Sequence, residues 1–109
     1  MAKLVDKTYG DALFELALEN GKIDTYYDEA KDVLCSLEDN EELFKLYNHP
    51  KIPKEEKVKV TENIFKGRVS DDLTGFLVLM INKDRQNAIK ETLEYFIAKI
   101  KEYKKIGVA

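Results

Sequence analysis

Few residues in this chain have side chains suited to catalysis or metal binding. His49 is the only histidine and Cys35 the only cysteine, so the His and Cys clusters that hold zinc cannot be assembled. His49 stands between an asparagine and a proline, a sequence typical of a turn, and we predict a turn there over a catalytic or ligand role. Cys35 follows two apolar residues in a predicted helix, which favours a small, partly buried hydrophobic residue over a reactive thiol.

Two pairs of adjacent carboxylates, at 41–42 and 71–72, could be interpreted as acid–base sites. Adjacent helix residues point apart, however, and each pair lies at a predicted helix start, where the dipole favours negative charge. The sequence has no Gly-rich phosphate loop after a strand, no Gly-x-Ser-x-Gly elbow and no His-Glu-x-x-His pair. We therefore expect no catalytic residue, no cofactor and no metal site, although a site made of carboxylates alone stays open.

Composition narrows the classes of partner. The 109 residues carry a net charge of −3 and have a pI near 5.3. A nucleic-acid binder normally has a basic excess on one face, so we expect no nucleic-acid partner. Four lysines near the end of the chain are interrupted by Glu102, so we predict cations at a helix C-terminus over a membrane or nucleic-acid patch. A single cysteine permits no internal disulfide and fits a reducing compartment. No signal peptide and no membrane-spanning run are visible, so we expect no membrane insertion.

Six helices are predicted, and no strands. Helix 1 runs from about Leu4 to Asn20, because Gly21 supplies a left-handed C-terminal position. Asp24 is expected to cap helix 2, and Asn40 is expected to end helix 2 and cap helix 3. The apolar residues predicted to face inward from helix 3 are Leu43, Phe44 and Tyr47.

The second half of the chain has similar signals. Pro53 fits the first position of helix 4, and Gly67 ends it. Ser70 is expected to cap helix 5. Helix 6 is predicted to start near residues 84–85 and to present a long apolar seam before Gly107. The fold class is therefore all-α, a six-helix bundle in a single domain.

Helices 1 and 5 carry more apolar surface than one packed side can bury. Helix 1 has one broad stripe and a second on nearly the opposite side, and the apolar residues of helix 5 point in nearly every direction. Either both are central helices of the bundle or one face of each lines a binding groove. The first stripe of helix 1 is Val5, Tyr9, Ala12, Leu13, Leu16 and Ala17, and the second is Leu4, Phe14 and Leu18.

Several segments, taken in order and spacing, resemble one known family. They are residues 9–17 (YGDALFELA), 49–52 (HPKI) with Glu56-Lys57 after them, 76–81 (FLVLMI) with Arg85, and Phe96. The chain is similar along nearly its whole length to the N-terminal domain of the ATP synthase delta subunit family, which includes the mitochondrial oligomycin-sensitivity-conferring protein. Gly10 departs from the alanine usual in that family, at a cost of about 1 kcal/mol unless it permits a close helix approach.

The resemblance implies a non-catalytic stator subunit that holds the catalytic head of the rotary, proton-translocating ATP synthase to the peripheral stalk. Its partner would be the N-terminal segment of an alpha subunit, docked as an amphipathic helix between helices 1 and 5. We expect this helix to contact Tyr9, Ala12, Leu13, Leu16, Phe76, Leu79 and Met80.

The resemblance also predicts how the chain is divided. Residues 1–105 would form the N-terminal helical bundle, and residues 106–109 would begin a linker to a smaller C-terminal domain that is absent here. That domain would contact the b subunit of the peripheral stalk. The complex would lie at the cytoplasmic face of a bacterial cell membrane, with this subunit bound peripherally. The alternatives are a generic helical adaptor with an apolar groove and, less in keeping with the residues, a small helical enzyme.

Overall fold

The structure, a computed structural model, describes residues 4–107 and the side chains of residues 4–105. Within that range the chain forms six α-helices and one short 3₁₀ turn, Gln86–Ala88, which confirms the all-α six-helix prediction. The helices are α1 (Leu4–Asn20), α2 (Ile23–Asp39), α3 (Glu41–Asn48), α4 (Lys54–Phe65), α5 (Asp71–Asn82) and α6 (Ile89–Gly107).

Local caps and turns set most of these boundaries. Gly21 has a φ of 65° directly after α1, as predicted. Asn40 accepts the Leu43 backbone N–H at 3.3 Å and so caps α3. The predicted cap at Asp24 is wrong, because α2 already begins at Ile23 after a residue that makes no side-chain cap bond. Asp24 lies in the first turn of α2 and forms an ion pair across to α6.

The start of α6 also differs from its prediction. The backbone at Asp84 has a φ of 61°, outside the helical region, and the Arg85 N–H donates to the Met80 carbonyl at 2.7 Å. These residues therefore close α5, and α6 begins only at Ile89. At its other end α6 extends to Gly107, two residues beyond Lys105. Val108 and Ala109 lie outside the described residues, so the linker stays a prediction.

The core is one cluster of buried apolar side chains to which all six helices contribute. The main packed pairs are α1 with α6, α2 with α6 and α4 with α5. The predicted α6 seam is buried through Leu93, Phe96 and Ile100. Two burial predictions are wrong: Phe44 is 42% exposed and Cys35 is exposed, since the parts of α3 and α2 that carry them face solvent.

The α1 helix is rotated relative to the two predicted stripes. Its buried face combines Leu13 and Ala17 with Phe14, which was expected on the opposite side and instead packs edge-on against Tyr103 of α6. A Cβ on Gly10 would lie only 2.4 Å from Cδ1 of Tyr95, so the missing side chain permits the close approach of that tyrosine on α6. This rotation leaves part of the first stripe outside the core.

Candidate protein-binding groove

A shallow apolar groove runs between α1 and α5, which are not among the main packed pairs of the bundle. From α1 it is lined by Tyr9, Ala12, Leu13 and Leu16. Ala12 is exposed, Tyr9 and Leu16 are half-buried, and Leu13 is buried beneath them. The rotation of α1 thus gives this helix one face for the core and a second apolar face at the surface.

The α5 wall of the groove consists of Asp72, Gly75, Phe76 and Leu79. Leu79, in the last turn of α5, is 44% exposed, a large value for a leucine. Six of the seven residues predicted to bind the partner therefore line one surface. Met80 does not line it: this residue follows Phe76 by one helical turn, is rotated further toward the core and is fully buried.

Hydrogen bonds from α2 hold the N-terminal end of the α5 wall. The buried Tyr26 hydroxyl donates to the Asp72 carboxylate. Burial raises the pKa of Tyr26, and the bond to Asp72 raises it further. One turn further along α2, Glu29 accepts the backbone N–H and the hydroxyl of Ser70, each at 2.8 Å. The Ser70 hydroxyl in turn accepts the Leu73 N–H at 3.3 Å, which confirms the predicted cap of α5.

Sequence reasoning missed these positioning residues. Tyr26 lies on α2, and its partner Asp72 lies 46 positions away along the chain on α5. Nothing local to either residue signals the pair. The structure shows that the wall of the groove is fixed by polar bonds to α2, while its surface toward solvent stays largely apolar.

On the other side of α1, a polar cluster joins this helix to α6. The Tyr95 hydroxyl donates to Asp11 at 2.7 Å, and the Lys99 and Lys7 ammonium groups lie 3.0 and 3.1 Å from the same carboxylate. The Tyr95 bond is the main reason that the pKa of Asp11 falls to about 2, and the two lysines lower it further. The cluster fixes the rotation of α1 and hence which of its residues face the groove.

The groove offers packing surface and no catalytic group. Its one ionisable side chain besides Tyr9 is Asp72, which is already bonded to Tyr26 and Asn20. Within residues 4–107 the structure brings no three His, Cys, Asp or Glu side chains together in a way that could hold a metal ion. His49 lies at the C-terminal end of α3, and its Nδ1 accepts the Lys51 backbone N–H at 3.2 Å, as expected for a turn.

The other surface hollows are more polar or more charged. One of about 350 Å³ is lined by Phe44 together with Glu38, Glu41, Lys45 and Lys90, among others. None of the described helices has both the length and the hydrophobicity needed to cross a bilayer.

Comparison with known proteins identifies the chain's relatives. Residues 5–109 match the family model described as ATP synthase delta (OSCP) subunit. The ATP synthase subunit delta of Lachnoclostridium phytofermentans is 60% identical over all 109 residues, which correspond to 60% of that protein. The subunit of the same name from Clostridium beijerinckii is 33% identical over 86% of this chain and 52% of its own length. The Clostridium perfringens subunit is 34% identical over 97% of the chain and 55% of its own length.

The chain thus spans between about half and three fifths of the length of these curated relatives. The match nevertheless includes every helix described above, from α1 to α6. The chain belongs to the ATP synthase delta (OSCP) subunit family.

Proposed function

We propose that this chain is the head-binding bundle of a rotary ATP synthase stator, in which the N-terminal helix of an alpha subunit docks in the groove between α1 and α5. The observation that carries this proposal is the apolar groove itself, in a member of the delta subunit family. Apolar surface is exposed to solvent at Tyr9, Leu16 and Leu79, and the small side chain of Ala12 leaves space between them for a partner. A helix with one apolar face is the partner that such a groove fits.

The proposed role is to bear a mechanical load. A stator contact has to survive repeated torque, and it therefore has to dissociate slowly. Packing in an apolar groove provides slow dissociation better than exposed ion pairs do. The Tyr26–Asp72 and Glu29–Ser70 bonds suit this role, because they hold the α5 wall against α2 while a load acts on it. In this proposal the chain itself catalyses nothing, and the complex performs the chemistry.

The contact with the b subunit of the peripheral stalk is proposed to lie outside these 109 residues, in the part that the longer relatives have in addition. The subunit would then be peripheral, at the cytoplasmic face of a bacterial membrane, as part of the synthase. A generic adaptor would use the same groove for another helix, and family membership favours the alpha subunit over that alternative.

The test is Ala12→Asp, measured by calorimetric titration with a peptide of the alpha-subunit N-terminus. Ala12 is exposed in the groove, so the new carboxylate remains solvated in the free chain and becomes unpaired against an apolar helix in the complex. We expect a loss of about 2 to 3 kcal/mol, roughly 30- to 150-fold in affinity, with little change in thermal stability.

Two control variants separate binding from folding. Ala98→Asp makes the same change at an exposed position of α6, a helix that contributes no residue to the groove, and should bind normally. Leu93→Ala deletes a fully buried leucine and should lower stability by about 2 to 5 kcal/mol while leaving the groove chemically unchanged. If Ala12→Asp binds the peptide as tightly as the parent, the alpha helix docks elsewhere or is not the partner.

A further inference from the structure

Gly75 lies in the interior of α5, where glycine is a poor helix former compared with alanine. A Cβ added to Gly75 would meet no atom within 4 Å. Gly10 differs in this respect, because its added Cβ would collide with Tyr95. The packing of the bundle therefore explains the glycine at position 10 and leaves the one at position 75 unexplained.

Gly75 also occupies a particular place on the surface. It lines the groove opposite Ala12, and it lines a second hollow, of about 290 Å³, between α4 and α5. Because Gly75 has no side chain, the backbone of α5 forms a low saddle between these two depressions. The other residues that line the second hollow are Glu62, Lys66, Asp71, Thr74 and Val78.

We infer that the docked helix crosses α5 over Gly75, with its own small residue at the crossing, and continues over the hollow between α4 and α5. This inference rests on the proposed alpha-subunit helix as the occupant. The two depressions carry more acidic than basic side chains: Asp72 lines the groove, and Glu62, Asp71 and Lys66 line the hollow. This surface therefore fits an amphipathic helix that has basic residues beside its apolar face. Gly75 then determines which helix can bind, because it lets the partner approach α5 closely. The helix stability that α5 loses by having a glycine here is offset by this closer contact.

The inference predicts that one substitution changes folding and binding in opposite directions. Gly75→Ala should raise the Tm by a few degrees, because alanine is the better helix residue and its methyl group has space. The same methyl group should hold the partner helix away from α5 and lower the affinity for the alpha-subunit peptide at least about fivefold. Gly75→Leu should lower this affinity about a hundredfold.

Asn63→Ala is the matched control for added helix stability, because Asn63 is exposed on α4 and lines neither depression. It should raise the Tm similarly and leave the affinity unchanged.

Glu62→Lys tests the extension over the hollow. This variant should bind the peptide a few-fold more weakly at low salt, and high salt should remove the effect. Parent-like affinity of Glu62→Lys at low salt would overturn the extension.

The results distinguish this inference from the proposed function. If Gly75→Ala binds like the parent while Ala12→Asp does not, the groove is the docking site and the crossing point is wrong. If both variants bind like the parent, the groove proposal fails as well. A lower Tm for Gly75→Ala would show that the space above α5 is not free, and would also overturn the inference.

Discussion

Gly10→Ala tests the close approach that sets the rotation of α1. The new Cβ would lie 2.4 Å from Cδ1 and 3.0 Å from Cε1 of Tyr95, well inside van der Waals contact. The ring cannot swing away freely, because its hydroxyl donates to Asp11 at 2.7 Å. Either α1 moves away from α6, or the tyrosine gives up that bond.

The magnitude follows from two opposing terms. Overpacking a fitted contact costs about 1 to 3 kcal/mol, and replacing a helix-interior glycine with alanine recovers about 1 kcal/mol. We expect Gly10→Ala to destabilise the parent by about 1 kcal/mol. In a Tyr95→Ala background the collision is gone, so Gly10→Ala should stabilise by about 1 kcal/mol. The coupling between the two positions is therefore about 1 to 3 kcal/mol.

Urea denaturation of the parent, the two single variants and the double variant measures this coupling directly. The loss of the Tyr95 hydroxyl is common to both variants that lack it and cancels in the cycle. The reasoning is refuted if Gly10→Ala changes the free energy of unfolding by the same amount in both backgrounds, since the ring would then not be what keeps this position a glycine.

Three further predictions concern the cap, the acid pH range and nucleotide. Ser70→Ala should lower stability by about 1 to 2 kcal/mol in urea denaturation, because the Leu73 N–H loses its acceptor and Glu29 loses a donor; a change below about 0.3 kcal/mol would contradict this. The pKa of Asp11 falls from 3.8 to about 2 on folding, so its stabilisation is present above the unfolded pKa of 3.8 and is lost as the pH falls through 2. The stability gap between the parent and Asp11→Asn should therefore narrow over that range, and a gap independent of pH would contradict the lowered pKa. Titration calorimetry with magnesium-ATP should show no binding, and a saturable heat at micromolar ligand would disprove this.

Local chemistry made much of the fold predictable. Gly21 ends α1 through its own left-handed conformation. Asn40 and Ser70 begin α3 and α5 through hydrogen bonds to backbone groups three residues later. The apolar seam of α6 was likewise visible from periodicity alone. The start of that helix was not, because the left-handed turn at Asp84 forms at a residue that also occurs in ordinary helix starts.

The rotation of each helix was decided only by the tertiary structure. The sequence showed that α1 and α5 carry apolar residues on more than one side, and periodicity cannot say which side meets the core when both are apolar. In the packed bundle Tyr95 lies against Gly10 and Phe14 is buried, while α5 buries Met80 and leaves Leu79 exposed. Both choices depend on residues far apart in the chain, so the groove exists only once the helices have packed.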